Sequence, residues 1–228
     1  MKLLALDTAT ENCSAALWLD GQVTERVQAA PKVHAEQILP MVQALLSVAG
    51  LSLSQLDALA FGRGPGGFTG VRVAAAVIQG LAFGAGLPVV PVSDLMALAA
   101  RAQHAHGVDQ VLACLDARMG EVYWCAYTAS AGADLTPCLE ERLGIPDTVS
   151  PPVAKSWFGA GSGFAAYGTL LQARLGTGLQ GYDDALLPAA RDVAMLAVRA
   201  LARGEMVAAE EALPVYLRDR VAWPKSAL

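Results

Sequence analysis

Over the first thirty residues the hydrophobic positions come in short runs of strand length. Lys2–Leu6 and Ser14–Leu19 are apolar runs and Gln22–Gln28 alternates, with the polar segment Thr8–Cys13 between the first two. Two apolar runs of strand length and one alternating stretch predict three strands, and Asp20–Gly21 is a hairpin turn signal between the second and third. The period then lengthens. His34–Ala49 carries Ile38, Leu39, Met41, Val42, Leu45 and Leu46, a helix with an apolar surface wider than one stripe. Pro40 inside it lacks a backbone donor, which predicts a kink or a late start. A strand over Leu56–Phe61, a helix over Thr69–Phe83, a strand over Val89–Val92 and a helix from Ser93 through Ala102 follow.

The pattern begins afresh around His104–Val108. Val111–Leu115 and Glu121–Tyr127 predict a second hairpin, joined by Asp116–Gly120. Ala131–Pro152 is turn-rich and poorly periodic. Beyond it the sequence predicts a strand at Trp157–Ala160, helices at Phe164–Leu175 and Asp192–Ala202, and a short extended tail at Pro214–Arg218. The chain thus reads as two α/β halves, each opening with a β-hairpin, and shows no solenoid period.

Composition narrows the classes. Hydrophobic residues make up 54% and charged residues 16%, which excludes disorder. The segment Val73–Ser93 has no charged side chain, but Gly84, Gly86, Pro88 and Pro91 divide it into a helix and a strand, not a membrane span. Asp7 arrives before a signal-peptide core can develop, so a cytoplasmic chain is expected. A net charge of −5 without any basic run argues against a stand-alone nucleic-acid binder. Four cysteines without CxxC spacing read as reduced, buried thiols.

Several segments could carry chemistry. Asp7, at the end of the first strand and followed by Thr8-Ala9-Thr10, could hold a metal-bound phosphate or could cap its own turn. Gly62–Gly70 runs from a strand into a helix start, which suits phosphate binding and close packing equally. It lacks the lysine of a Walker loop and the GxGxxG spacing. Gly159–Phe164 is a weak dinucleotide motif and reads as a loop opening a helix. His104 and His106 have no third ligand nearby and read as a solvated linker. On the Thr69 helix, Ala76, Gly80 and Gly84 share one face, flanked by Val73 and Val77. That face could meet the chain's own sheet or a partner helix.

Five blocks in order carry a resemblance along nearly the whole chain: Leu4–Thr10, His34–Pro40, Gly64–Arg72, Asp116–Tyr123 and Pro214–Arg218. They resemble the TsaB (YeaZ) family, bacterial paralogues of the TsaD/Kae1 proteins; Gly67 stands where that family often has serine. The resemblance implies a two-lobed actin/Hsp70/sugar-kinase-like α/β fold with an RNase H-like core in each lobe, here residues 1–105 with the partner-binding helices and residues 106–228. It implies a subunit that supports the TsaD transferase in threonylcarbamoylation of the adenosine next to the anticodon of ANN-decoding tRNAs, with the ATPase TsaE completing the complex. The His-x-x-x-His pair that binds metal in TsaD-like proteins is replaced by Asp94 and Leu98, and the second lobe's Asp-x-Gly start is Asp116-Ala117-Arg118. Both departures imply a scaffold without catalytic, cofactor or metal residues of its own, with ATP and metal on the partner subunits and tRNA reached only through the complex. The implied TsaD contacts are Gln37, Met41 and Leu45 on the first long helix and Arg72, Ala76 and Gly80 on the second, a face that could also pair two copies of the chain. The competing class is an ATP-dependent small-molecule kinase on the same fold; a metallopeptidase is disfavoured by the missing histidines.

Overall fold

The computed structural model of the chain describes residues 1–29, 33–129, 135–153 and 156–218. It contains two sheets of the same topology. The first has β1 (Lys2–Asp7), β2 (Asn12–Leu19), β3 (Gln22–Ala29), β4 (Ala58–Gly62) and β5 (Val89–Val92) in the order β3-β2-β1-β4-β5. The second has β6 (Gln110–Arg118), β7 (Glu121–Ala129), β8 (Leu135–Pro137), β10 (Trp157–Ala160) and β11 (Leu179–Asp183) in the order β11-β10-β6-β7-β8, with β9 (Arg142–Gly144) also on β7. In each sheet an antiparallel hairpin leads and two parallel strands extend it on the other side.

The helices are α1 (His34–Ala49), α2 (Phe68–Ala85), α3 (Asp94–His106), α4 (Ser162–Leu175) and α5 (Ala190–Ala202). Strand alternation sorts them. On β1, Leu4 and Leu6 face α1 and α2, while Leu3 and Ala5 face α5. On β6, Val111, Ala113 and Leu115 face α3, while Leu112 and Cys114 face α4. Small residues explain how closely α5 approaches: Ala5, Ala16, Ala58 and Ala60 meet Ala190, Ala194 and Ala197. The helices α3 and α5 each pack on the sheet built by the other half of the chain. Between the two sheets they join the lobes, with Arg101 of α3 pairing to Asp192 of α5 at 3.5 Å.

The structure corrects several sequence expectations. The first helix begins at His34 with Pro40 inside it, so there is no late start. His104 and His106 are the last turn of α3, not a linker, and His106 Nε2 lies 2.9 Å from Asp183 Oδ2. The turn-rich stretch holds β8 and β9; residues 130–134 of it lie outside the described residues. Strand β11 carries no apolar run to announce it. The apolar stretch after Val73 does divide as read: α2 ends at Ala85, Gly86 closes it with φ +66°, and β5 follows. Although α2 is long and apolar enough to cross a membrane, Val71, Ala74, Ala75, Ile78 and Ala82 pack into the first lobe.

Candidate partner face and interlobe cleft

A cavity of about 670 Å³ opens between the lobes. Thr8–Glu11 and Pro65–Val71 line it from the first lobe, Leu115–Met119 and Ser162 from the second, and Val215–Arg218 run along it. At the inner end of each opening hairpin strand stands an aspartate. Asp7 Oδ1 accepts from Ala9 N–H at 2.8 Å, and Asp116 Oδ1 accepts from Arg118 N–H at 2.8 Å. Each acid therefore closes its own turn, and the amides two residues on are already bonded. For Asp7 this is the turn-capping reading.

Asp7 is sealed from the cleft, 1% exposed, and faces Asp94 at the first position of α3, which is fully buried. Asp94 Oδ2 accepts from Gly64 N–H, and its carboxyl packs where a Gly62 side chain would stand. Among the described residues Asp7 Oδ2 and Asp94 Oδ1 find no donor elsewhere, and the two carboxyls lie within hydrogen-bonding reach of each other. Two adjacent buried carboxylates cannot both ionise at low cost, so a shared proton satisfies both. Burial pushes Asp7 up to about 6. Burial, then the Asp7 charge, pushes Asp94 well above the usual carboxylate range. Sequence reasoning considered Asp94 as a lone ligand replacement and missed this pairing, because nothing in either segment encodes the contact.

The glycine-rich loop serves close packing. A Cβ at Gly70 would stand 1.9 Å from Thr8 O, and one at Gly66 would stand 2.5 Å from Ala9 O. Gly67 N–H donates to Ala9 O at 2.7 Å and Thr8 Oγ1 donates to Gly70 O at 2.8 Å. The second motif behaves alike: a Cβ at Gly161 or Gly163 would overlap Cys114, and one at Gly159 the Phe164 ring. Among the described residues no group of three or more His, Cys, Asp or Glu is placed to hold a metal ion.

Across the cleft mouth Arg118 reaches Glu11 at 3.1 Å and Asp116 at 3.1 Å. Arg118 and Met119 adopt left-handed conformations at φ +61° and +58°, so the hairpin tip is bent by non-glycine residues.

The outer face of α2 is open. Arg72, Ala76, Gly80, Phe83 and Gly84 are exposed, and a Cβ at Gly80 or Gly84 would meet nothing within 4 Å. Of the two readings of this stripe, packing on the chain's own sheet is excluded. Phe83 is 82% exposed. Beside it Leu39, Leu46, Leu51, Leu53 and Leu81 line a second, apolar hollow of about 450 Å³ between α1 and α2. On α1 the expected contacts need correction. Met41 and Leu45 are buried in the first lobe's core with Ile38 and Val42, because that stripe meets the sheet. Gln37 is half-buried, and the apolar residues α1 presents outward are Leu39 and Val48.

Two lobes of identical strand order, joined by exchanged helices around a cleft, define a protein of the two-lobed actin/Hsp70/sugar-kinase-like class. The sequence model of the TsaD family, described as tRNA N6-adenosine threonylcarbamoyltransferase, matches residues 27–226. The tRNA threonylcarbamoyladenosine biosynthesis protein TsaB of Escherichia coli is 44% identical over 229 residues, covering 99% of this chain and 98% of that protein. Its namesake from Haemophilus influenzae is 42% identical over 233 residues, covering 99% and 97%. The solved structure of YeaZ from Pseudomonas aeruginosa superposes with a TM-score of 0.88 at 48% identity, covering 95% of this chain and 99% of that one. The chain belongs to the TsaB (YeaZ) family of TsaD-related proteins.

Proposed function

We propose that this chain is the non-catalytic partner subunit of a TsaD transferase, required to threonylcarbamoylate the adenosine next to the anticodon in ANN-decoding tRNAs. The observation that carries the reading is the outward face of α2. An apolar helix shows solvent a stripe of small residues with open space above it, which suits close approach by a second helix. The relatives' names, which place them in tRNA threonylcarbamoyladenosine biosynthesis, supply the process.

The cleft supports a scaffold rather than a kinase. Asp7 shares its proton with Asp94, and Asp116 is spent on its own turn and on Arg118. Neither acid is free to hold a phosphate-bound metal. In this reading ATP and metal belong to the partner subunits, TsaE joins through the complex, and tRNA is bound by the assembly in the cytoplasm. In the absence of TsaD the same face pairs two copies of this chain.

Omission from a reconstituted reaction tests the reading. TsaD, TsaE, threonylcarbamoyl-AMP and an ANN-decoding tRNA should give modified tRNA only when this chain is added, and the chain should co-purify with TsaD. Full modification without it would overturn the proposal.

A further inference from the structure

Arg72 is held in place in a way its neighbours on α2 are not. Its guanidinium carbon lies 3.2 Å from the Phe68 ring centroid and 4.8 Å from that of Tyr216, and the two rings are 6.2 Å apart. Phe68 precedes Arg72 by one helical turn, so that contact is built into α2. Tyr216 arrives from the other end of the chain and is anchored on both sides. Val215 N–H donates to Arg63 O at 2.7 Å, Arg218 pairs with Glu121 at 2.6 Å, and Arg218 Nη2 donates to Ala117 O at 3.1 Å. The tail thus crosses from one lobe to the other with Tyr216 set against Arg72.

The cation held there has no carboxylate partner among the described residues. Arg63, Arg101, Arg118 and Arg218 each reach a carboxylate. Arg72 reaches none among the described residues, and its hydrogen bond there goes to the Phe68 carbonyl at 3.2 Å. A guanidinium is a planar fork of N–H donors, and among the described residues only Nη1 is engaged, which leaves donors for a bidentate acceptor. Because the rings already fix the side chain, less freedom is lost when an acceptor arrives. The location adds to this, since Arg72 lies in the second turn of α2, near the positive end of the helix dipole. On a chain of net charge −5, this is a pre-ordered positive point on the face that the proposed function leaves open.

We propose that Arg72 receives a carboxylate, an Asp or Glu side chain of the TsaD-type paralogue, when the partner's helix lies along Ala76, Gly80 and Gly84. The inference rests on the partner reading above and gives that contact its polar anchor. A row of small residues spaced by four lets a partner helix slide by a turn; a single charge pair at one end fixes the register. The tail has a role in the same arrangement, since Tyr216 holds the guanidinium from a second side.

Calorimetry with the same organism's TsaD tests this on the full-length chain at low and at raised ionic strength. Arg72→Gln should weaken binding at least tenfold at low salt and flatten its salt dependence. Arg72→Glu should weaken it further, because a carboxylate then faces a carboxylate. Tyr216→Leu should weaken it by a smaller factor and shrink the effect of Arg72→Gln made on top of it. Arg72 and Tyr216 are exposed, so the isolated variants should melt within a few degrees of the parent. Gly80→Arg is the control for the contact itself. If Gly80→Arg abolishes binding while Arg72→Glu binds no worse than Arg72→Gln, the partner reading stands and the carboxylate contact is wrong. If Gly80→Arg leaves binding unchanged, the α2 contact fails and the proposal falls with it.

Discussion

Two glycines on one helix should respond in opposite directions to the same substitution. In Gly70→Ala the new methyl would stand 1.9 Å from Thr8 O and 3.0 Å from Thr8 C. Carbon and oxygen ordinarily approach to no less than about 3.3 Å, so α2 and the β1–β2 loop must separate by more than an ångström. That movement breaks the Thr8 Oγ1 to Gly70 O bond of 2.8 Å and the Gly67 N–H to Ala9 O bond of 2.7 Å. Overpacking costs about 1–3 kcal/mol and each lost hydrogen bond about 1 kcal/mol. Helix propensity returns about 1 kcal/mol, leaving a net destabilisation of about 2–4 kcal/mol. In Gly80→Ala the methyl meets nothing, and only the propensity gain of about 0.5–1 kcal/mol remains. For a chain of this size 1 kcal/mol moves the midpoint by roughly 2–4 °C. Thermal unfolding followed by circular dichroism, at a concentration where the chain is monomeric, should therefore show Gly70→Ala lower by about 5–15 °C and Gly80→Ala higher by roughly 1–4 °C. Equal shifts for the two, or a neutral Gly70→Ala, would refute the assignment of the first glycine to packing and the second to open surface.

The α1 correction predicts that Met41→Asp destabilises the isolated chain by about 3 kcal/mol or more in urea titration, since Met41 is 8% exposed and the carboxylate has no partner. Leu39→Asp, at a position 48% exposed, should unfold within about 0.5 kcal/mol of the parent yet weaken TsaD binding. Stability should also depend on pH. Burial raises Asp7 to about 6 in the folded chain, so the folded state holds a proton the unfolded chain releases above its ordinary carboxylate range. Its contribution is fully present below about pH 4 and is lost as the pH rises through about 6, on the order of 3 kcal/mol; Asp7→Asn should flatten that slope in a series of urea titrations. Asp192, raised to about 7 chiefly by burial, adds a slope of the same sign that Asp7→Asn reduces only slightly, the Asp7 charge being the smallest of its causes. Finally, calorimetry of the isolated chain with ATP and Mg²⁺ should detect nothing tighter than ~1 mM, whereas a stoichiometric micromolar site would restore the kinase reading.

The sequence announces elements that carry their own pattern. The hairpin strands announce themselves as short apolar runs, or in β3 as alternation, and turn at Asp20–Gly21 and at Met119–Gly120, and the Ser93 cap reappears as Ser93 Oγ accepting from Met96 N–H at 3.2 Å. Strands β8, β9 and β11 are short pieces on the margin of the second sheet, held by their neighbours and not by a pattern of their own. Helix α1 shows a different limit. Its periodicity reveals apolar residues on more than one side but not which side meets the sheet, so Met41 and Leu45 could be mistaken for surface. On α2 the choice was easier to resolve once the structure placed Ala74, Ala75 and Ile78 inward, which leaves Ala76 and Gly80 outward. The Asp7–Asp94 pair and the Tyr216–Arg72 contact join residues distant in the chain, and only the folded topology brings them together.

The central claim is that the chain works through its α2 face and not through its cleft. One measurement separates the two: the rate of threonylcarbamoyl transfer to tRNA by TsaD and TsaE supplied with Gly80→Arg or with Asp116→Asn. Gly80→Arg adds bulk where the isolated chain has open space, and Asp116→Asn keeps the turn-closing acceptor while removing the Asp116 charge from the cleft. The account predicts that Gly80→Arg fails to support transfer and that Asp116→Asn supports it at the parental rate. Transfer lost with Asp116→Asn and retained with Gly80→Arg would contradict it.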